Sequence, residues 1–324
     1  MLAARKSAVL AALVELYIET GAPVSSSAVL DRSGVGVSPA TVRNDLAVLE
    51  REGYAAQPHT SAGRVPTSAA YRYYVDHLSP EQVKAATRQQ IHQFMSSMHT
   101  ELSKLLKATS SLLADVTHYP AVVLGPGLAG DTIAGLHLVP IANQAVLMVL
   151  VGASGQIRQQ VLSFDEAIDP SEVASAESIL AAAAAGSGSF DGLVFEASPT
   201  VTKVVEGAVA AASSIDEDRE VYVGGTSTLA TAWGDIAEVN RVLEVLEREA
   251  MLLRVLSGAN AGTLIKIGEE HAIGGDVSVV STSYAVGGES AGAVGIIGPQ
   301  RMDYRRTISV VEEVSEVLEG LLDP

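Results

Sequence analysis

The chain has 324 residues, enough for two or three domains of ordinary size. Hydrophobic residues make up 48% of it and charged residues 18%, a balance typical of globular proteins and not of disordered or fibrous ones. Because the sequence contains no cysteine, it excludes disulfide bonds, thiolate metal sites and cysteine nucleophiles. The formal net charge of −17 argues against a nucleic-acid partner unless the charge is unevenly distributed.

The charge is in fact uneven along the chain. Residues 1–78 carry seven basic and seven acidic side chains, so the whole excess of negative charge belongs to the later residues. The longest strongly apolar run, AVLMVLVGA at 145–153, is much shorter than the ~18 residues of a membrane span. The N-terminal stretch is interrupted by Glu15 and Glu19, which indicates a structural helix and not a secretion signal. We therefore expect no membrane association and a cytoplasmic location.

Three helices are predicted in the first 52 residues. The first runs from about Arg5 to Thr20, and the second follows a serine cluster at 25–27 that can cap it. Ser38 is typical of an N-cap, and the proline after it suits the first position of a third helix that continues to about Glu52.

The third helix separates two kinds of side chain. Its large apolar residues, Val42, Leu46 and Leu49, share one face. The opposite face carries its alanines and most of its polar residues: Ala40, Arg43, Asn44, Ala47 and Arg51. Arginine and asparagine can read base edges through paired hydrogen bonds, and alanine allows close approach to a surface. The pattern fits a recognition helix, and it also fits an ordinary solvated face.

A polar loop, HTSAGRVPT at 59–67, lies between extended segments after this helix. Glycine permits a tight turn and proline stiffens the chain, so the pattern indicates a hairpin with Arg64 at its tip. His59, Thr60 and Ser61 offer donors to phosphate, and Arg64 could enter a minor groove or contact phosphate. An ordinary hairpin is the alternative. Thr67 is predicted to cap a further helix.

The remaining chain changes in character near residue 79. Ser79 to Gln82 form a capping-box pattern that opens one long helix to about Val116. Strand-like segments follow from about 119 to 163 and resume near 263, with alanine-rich and helix-like segments between them. The simplest interpretation is one α/β domain that is interrupted by an insertion.

Enzymatic and metal-binding interpretations find little support in the sequence. Gly288, Ser290 and Gly292 fit the G-x-S-x-G pattern of a nucleophile elbow, but a β-like segment follows them and no histidine comes later. The seven histidines are scattered and show no paired spacing for a metal. We expect neither an enzyme nor a cofactor or metal site.

Several stretches together resemble one known family, the bacterial heat-inducible transcription repressors HrcA. They include SPATVRNDLAVLEREGYAAQPHTSAGRVPT, YRYYVDHL, LLADVTHYPAVVLGP, VYVGGTSTL and the long segment IKIGEEHAIGGDVSVVSTSYAVGGESAGAVGIIGPQRMDYRRTI. The resemblance implies an α+β multidomain fold with an N-terminal winged helix-turn-helix, then a GAF-like α/β domain with an inserted dimerising domain. The implied divisions are a winged-helix domain at 1–78, a connecting helix at 79–116, a GAF-like domain at 117–165 and 236–324, and the insertion at 166–235.

The resemblance also implies a function. Members of the family bind, as homodimers, an inverted repeat called CIRCE in double-stranded DNA, repress chaperone genes until heat shock, and are kept active by a GroEL-type chaperonin. The implied DNA contacts are Ser38, Thr41, Arg43, Asn44, His59, Thr60, Ser61, Gly63 and Arg64. The serines at 25–27 depart from the lysine-containing stretch frequent in relatives, and likeness to GAF modules implies no bound nucleotide. A metabolite-responsive winged-helix regulator, with a small-molecule site in the GAF-like domain, is the alternative.

Overall fold

A computed structural model describes residues 2–59, 62–79, 82–98, 101–126, 133–152, 157–187, 190, 193–215, 219–256, 262–286 and 288–322. The fold mixes helices with antiparallel sheets. Its elements in chain order are α1 (Ala4–Thr20), α2 (Ser26–Ser33), α3 (Pro39–Arg51), β1 (Ala55–Ala56), β2 (Val65–Pro66), α4 (Ser68–Asp76), α5 (Ala85–Ser96), α6 (Leu102–Thr117), β3 (Ala121–Leu124), β4 (Ile133–Ala142), β5 (Ala145–Gly152), β6 (Ile157–Ser163), α7 (Pro170–Ser187), α8 (Pro199–Ile215), β7 (Val221–Gly224), α9 (Leu229–Ala232), α10 (Ile236–Leu246), α11 (Glu249–Leu256), β8 (Leu264–Ile267), β9 (Ser278–Val286), β10 (Glu289–Gly298) and α12 (Tyr304–Leu322).

Hydroxyl side chains start three of the N-terminal helices. The Ser25 hydroxyl accepts a hydrogen bond from the Ala28 amide at 3.2 Å and begins α2. Ser38 accepts from the Thr41 amide at 3.2 Å and begins α3, and Thr67 likewise caps α4. Each cap satisfies a backbone N–H that has no partner within its helix. The predicted starts of these helices are therefore confirmed.

The first four helices share one apolar core, to which the short two-stranded ribbon of β1 and β2 also contributes. β1 pairs with β2 in antiparallel register, with Ala56 opposite Val65. An isolated antiparallel bridge between Val24 and Arg64 extends the ribbon toward the start of α2. The buried apolar side chains of this core include Val9, Leu10, Leu13, Val29, Val42, Leu46, Leu49 and Tyr71.

The predicted single long helix over 79–116 is wrong, because the structure has two helices, α5 and α6, in this part of the chain. The Thr109 hydroxyl of α6 lies 3.6 Å from the sulfur of Met95 in α5. In one straight helix these residues would be about 21 Å apart along the axis. Folding back buries both Met95 and the facing side of α6 in the same core, which a straight helix could not do.

The main sheet has five antiparallel strands in the order β7-β3-β10-β9-β8. Alternate side chains of each strand point to opposite faces. Val123 and Val294 therefore face α6 and α12, whereas Val122 and Ala293 face the core formed with α10 and α11. Both faces of the sheet are thus covered by helices.

The strand pairing corrects the predicted boundaries of the insertion. Strands β4–β6 lie within the predicted GAF-like segment 117–165 but form a separate three-stranded sheet in the order β4-β5-β6. This sheet shares its own core with α7 and α8. Strand β7, assigned to the insertion 166–235, instead pairs with β3 in the main sheet, with Val223 opposite Val122. The inserted unit therefore extends from 133 to 215. The predicted boundaries differ because a strand-like sequence does not reveal which distant strands pair.

The N-terminal helices lie against the main sheet and α12. The Tyr71 ring of α4 lies 6.0 Å from the Tyr304 ring, between centroids. Arg72 donates a hydrogen bond of 2.8 Å to the Ile265 carbonyl oxygen of β8. In the part of the chain that the structure describes, no helix combines the length and the apolar character required to cross a bilayer.

Candidate nucleic-acid interface

Helix α3 presents the two polar side chains that the sequence singled out. Arg43 and Asn44 are exposed, whereas Val42, Leu46 and Leu49 on the other side of the helix are buried. The predicted two-faced character of this helix is confirmed.

The start of α3 carries two hydroxyl groups. Ser38 is exposed and Thr41 is half-buried. Their two hydroxyl oxygens lie 3.0 Å apart, so either can donate to the other. The predicted helix residues Ser38, Thr41, Arg43 and Asn44 thus lie within two turns of one helix.

A cleft of about 340 Å³ lies between α3 and described residues of the polar segment 57–64, hereafter the loop. Polar groups from three elements meet there, because the start of α2 forms a third wall. The lining residues are Val24, Ser25, Ser26, Arg43, Leu46, Gln57, Ala62, Gly63 and Arg64. Ser25, Ser26 and Gln57 are additional to the predicted contacts, since the sequence predicts only a capping role for the serine cluster.

Helix α3 is fixed to α1 by a pair that sequence reasoning did not identify. Arg5 donates to both carboxylate oxygens of Asp45, at 2.8 and 3.1 Å. The Asp45 side chain is only 2% exposed, and its hydrogen bond raises the pKa of Arg5 above its usual value. The signal in the sequence was the position of Asp45, which shares the helical face of Val42 and Leu49. This pair holds the Asp45 side of α3 against α1, opposite the exposed Arg43.

Two hydrogen bonds connect residues within the described part of the loop. The Gln57 side-chain amide donates to the Ala62 carbonyl oxygen at 2.9 Å, and the Ala62 amide donates to the His59 carbonyl oxygen at 2.8 Å. His59 is exposed. Thr60 and Ser61, which were also predicted to contact DNA, lie outside the described residues.

Gly63 has a different role from the predicted tight turn. Its φ angle is not in the left-handed region, and a Cβ atom built on it would overlap the backbone of Val24. Glycine is needed here because two backbone segments approach closely.

Arg64 does not lie at the tip of the hairpin, which corrects the prediction. Its amide donates to the Val24 carbonyl oxygen and its carbonyl accepts from the Val24 amide, both at 2.8 Å. The Arg64 side chain is 20% exposed and forms an ion pair of 2.9 Å with Glu50. Arg64 therefore lies at the base of the loop, tied to two other segments.

The serine of the G-x-S-x-G pattern does not have the position that a nucleophile elbow requires. Ser290 lies within strand β10, which pairs with β9, and not on a strand-to-helix turn. Within the described ranges, no group of three or more histidine, aspartate or glutamate side chains is placed to hold a metal ion.

Comparison with known proteins relates the chain to one family. The family model described as the HrcA protein C terminal domain matches residues 103–308. A heat-inducible transcription repressor HrcA from Halalkalibacterium halodurans is 31% identical, covering 99% of this chain and 98% of the relative. A relative of the same name from Acidothermus cellulolyticus is 36% identical over 99% of both chains. A crystal structure of a hypothetical protein is similar with a TM-score of 0.66 and 26% identity, and the match covers 99% of both chains.

Proposed function

Because this chain belongs to the HrcA family of heat-inducible transcription repressors, we propose that it represses heat-shock genes by binding duplex DNA at the cleft beside α3. The observation that carries this proposal is the placement of Arg43 and Asn44, both exposed on a helix that borders an open polar cleft. On this proposal the protein is a regulator and not an enzyme, and it acts in the cytoplasm, where bacterial DNA lies.

The roles of the α3 residues follow from their chemistry. Arg43 and Asn44 would enter the major groove, where arginine pairs with guanine and asparagine with adenine. Ser38 and Thr41 at the start of the helix would donate to phosphate, which fixes the register but carries little sequence information. On this proposal α2 and α3 would act as the helical pair of a winged helix-turn-helix.

The loop at 57–64 would serve as the wing. His59 is an exposed polar residue in its described part, and Thr60 and Ser61 add hydroxyl donors next to it in the sequence. We propose that these three contact the DNA backbone beside the groove that α3 occupies. Gly63 and Arg64 would support the wing from its base.

The charge distribution predicts the character of the binding. Residues 1–78 carry no net charge and the rest of the chain is acidic, so attraction to DNA of any sequence should be weak. Affinity would then depend on a few well-placed contacts and would fall as salt rises, because each neutralised phosphate releases counterions.

The inserted unit offers a surface for the proposed homodimer. One face of its sheet packs on α7 and α8, while the other face exposes apolar side chains. Val139 is 45% exposed, Val161 52% and Ile157 59%. Leu147 is half-buried and lies between Val139 and Val161 in the strand register. Apolar patches of this kind mark protein–protein contacts, and a two-fold dimer would match an inverted repeat such as CIRCE.

The remaining parts of the proposal rest on family membership. The five-stranded sheet with helices on both faces is proposed to be the GAF-like domain, with residues 133–215 inserted into it. A GroEL-type chaperonin is proposed to keep the repressor active, and heat shock to relieve repression.

The test is a selection of genomic fragments bound by the purified full-length protein, followed by sequencing. We expect an inverted repeat with a fixed spacing of half-sites. Gel shifts of that repeat, before and after heating and with or without chaperonin, then test heat relief. Retention of fragments without any common sequence would contradict the proposal.

A further inference from the structure

We propose that Glu50 is a positioning residue that ties the base of the loop, at Arg64, to α3 through its ion pair with Arg64. On this view Arg64 sets where the loop lies and does not itself contact DNA. The consequence for DNA affinity rests on the proposed function, whereas the effect on the loop does not.

The ion pair itself is partly shielded from water. The Arg64 Nη2 atom lies 2.9 Å from Glu50 Oε2, and the two side chains are 20% and 35% exposed. The Arg64 Nε atom is buried and has no hydrogen-bond partner among the described residues. The guanidinium is therefore turned toward the protein, which leaves little of it for a phosphate.

The backbone of Arg64 is held as firmly as its side chain. Two hydrogen bonds of 2.8 Å join it to Val24, the residue just before the cap of α2. The neighbouring Gly63 packs so closely on Val24 that a Cβ atom would not fit. Arg64 thus connects the loop to the start of α2 by its backbone and to α3 by its side chain.

This geometry relates the loop to the proposed base-reading residue. Glu50 lies seven residues after Arg43 on α3, two turns along the same helix. Arg43 and Arg64 both line the cleft between helix and loop. An anchor between α3 and the base of the loop therefore keeps the width of that cleft constant, and contacts from both walls require a fixed width.

The Glu50→Gln substitution distinguishes a positioning role of Glu50 from a direct effect of its negative charge on DNA binding. It preserves the shape of the side chain and removes one negative charge beside the proposed DNA surface. If Glu50 acted only through its charge, its removal would strengthen DNA binding. If Glu50 holds the loop, its removal weakens binding although the protein becomes less acidic.

The first experiment measures DNA affinity of the full-length protein at several salt concentrations, using the selected repeat. We expect Glu50→Gln and Arg64→Met each to weaken binding about tenfold, equivalent to ~1.4 kcal/mol. The double variant should be no weaker than either single one, because both changes break the same interaction. The slope of log affinity against log salt should not change.

Two outcomes would overturn the proposal. One is unchanged or tighter binding by Glu50→Gln. The other is a salt slope that falls by about one in Arg64→Met, as expected for a direct phosphate contact. Glu52→Gln is the matched control, since it removes the same charge just after the end of the same helix, where Glu52 faces Lys6 at 3.4 Å in an exposed ion pair and not Arg64. It should bind at least as tightly as the wild type.

The second experiment needs no DNA. Hydrogen exchange of the Val24 amide, which donates to the Arg64 carbonyl, reports opening of the loop base in the free protein. We expect about tenfold faster exchange in Glu50→Gln than in Glu52→Gln, by the same conversion. Equal rates would overturn the positioning role. If the wild type binds no DNA but the Val24 rates differ, the proposed function fails and the role of Glu50 stands.

Discussion

Arg305, on the last helix, donates a hydrogen bond of 3.1 Å from Nε to the hydroxyl of Tyr74 in α4. Its Nη2 atom also lies 3.3 Å from a carboxylate oxygen of Glu15 in α1. The other carboxylate oxygen of Glu15 lies 3.8 Å from Arg32 of α2. A continuous set of charged contacts thus runs from α12 to the helix that precedes α3. The last helix is thereby connected to α1, α2 and α4.

The Tyr74 hydroxyl is expected to stabilise this junction. Tyr74 is 6% exposed, and burial raises the pKa of its hydroxyl. Replacing Tyr74 by Phe removes the acceptor for Arg305 and should lower the free energy of unfolding by about 0.5–1.5 kcal/mol. Denaturant unfolding measures the change. Tyr73→Phe is the control, because that hydroxyl makes no hydrogen bond to any described residue, and an equal loss in both variants would contradict the prediction.

Arg43 is expected to determine base preference. Arg43→Ala should weaken binding to the selected repeat by about 1–3 kcal/mol and relax the preference at one base position of each half-site. Arg248→Ala is the matched control, since it removes an exposed arginine from the body of the protein. Binding selections with both variants measure the effect. Unchanged base preference in Arg43→Ala would show that this side chain does not read the sequence.

The sequence was most informative where structure is decided locally. The caps at Ser25, Ser38 and Thr67 depend on residues three positions away, and the two faces of α3 depend on helical periodicity. Both were predictable for that reason. The exposed positions of Arg43 and Asn44 followed from the same periodicity.

Features decided by distant contacts were not predictable in this way. The local pattern predicts Arg64 at the tip of a hairpin. Its actual place at the base is set by pairing with Val24, forty residues earlier, which the local pattern does not reveal. The fold-back of α5 on α6 depends on a shared core, and the pairing of β7 with β3 spans the whole inserted unit. Periodicity along the chain contains no information about such partners.

Gly63 should tolerate no side chain. A Cβ atom at this position would overlap the Val24 backbone, so Gly63→Ala must displace the base of the loop. We expect a loss of about 1–3 kcal/mol in the free energy of unfolding and weaker DNA binding. Gly36→Ala is the control, since that position has open space around it and no left-handed φ. Denaturant unfolding and gel shifts of both variants test the difference.

His271 should make stability depend on pH. Burial lowers the pKa of His271, although a hydrogen bond to the Val277 carbonyl oxygen partly offsets this effect. The neutral ring donates from Nε2 to Val277 at 3.1 Å and accepts from the Ile273 amide at Nδ1, 3.3 Å away. Its stabilising contribution is fully present above pH 6.5, the usual His pKa, and is lost as the pH falls through the lower pKa of the folded state.

His271→Gln should remove this part of the pH dependence. Unfolding free energies of both proteins, measured between about pH 7.5 and about pH 5.5, should converge at the acidic end, with a difference in slope of at most ~1.4 kcal/mol per pH unit. Parallel curves would show that His271 does not lose stability on protonation.

The exposed sheet face of the inserted unit should determine the oligomeric state. Val161, 52% exposed, lies opposite Leu147 in the register and belongs to the face that α7 and α8 leave uncovered. A carboxylate placed there would be buried without a partner in a two-fold dimer, so Val161→Asp should weaken dimerisation at least ~100-fold. Val194→Asp is the matched control, because Val194 is 93% exposed and lies outside this sheet. Sedimentation should show a monomer only for Val161→Asp. This monomer should bind a single half-site about as well as the wild type does. It should bind the full inverted repeat far less tightly, because the gain in affinity from linking two DNA-binding units is lost. A Val161→Asp protein that remains dimeric would place the dimer contact on another surface.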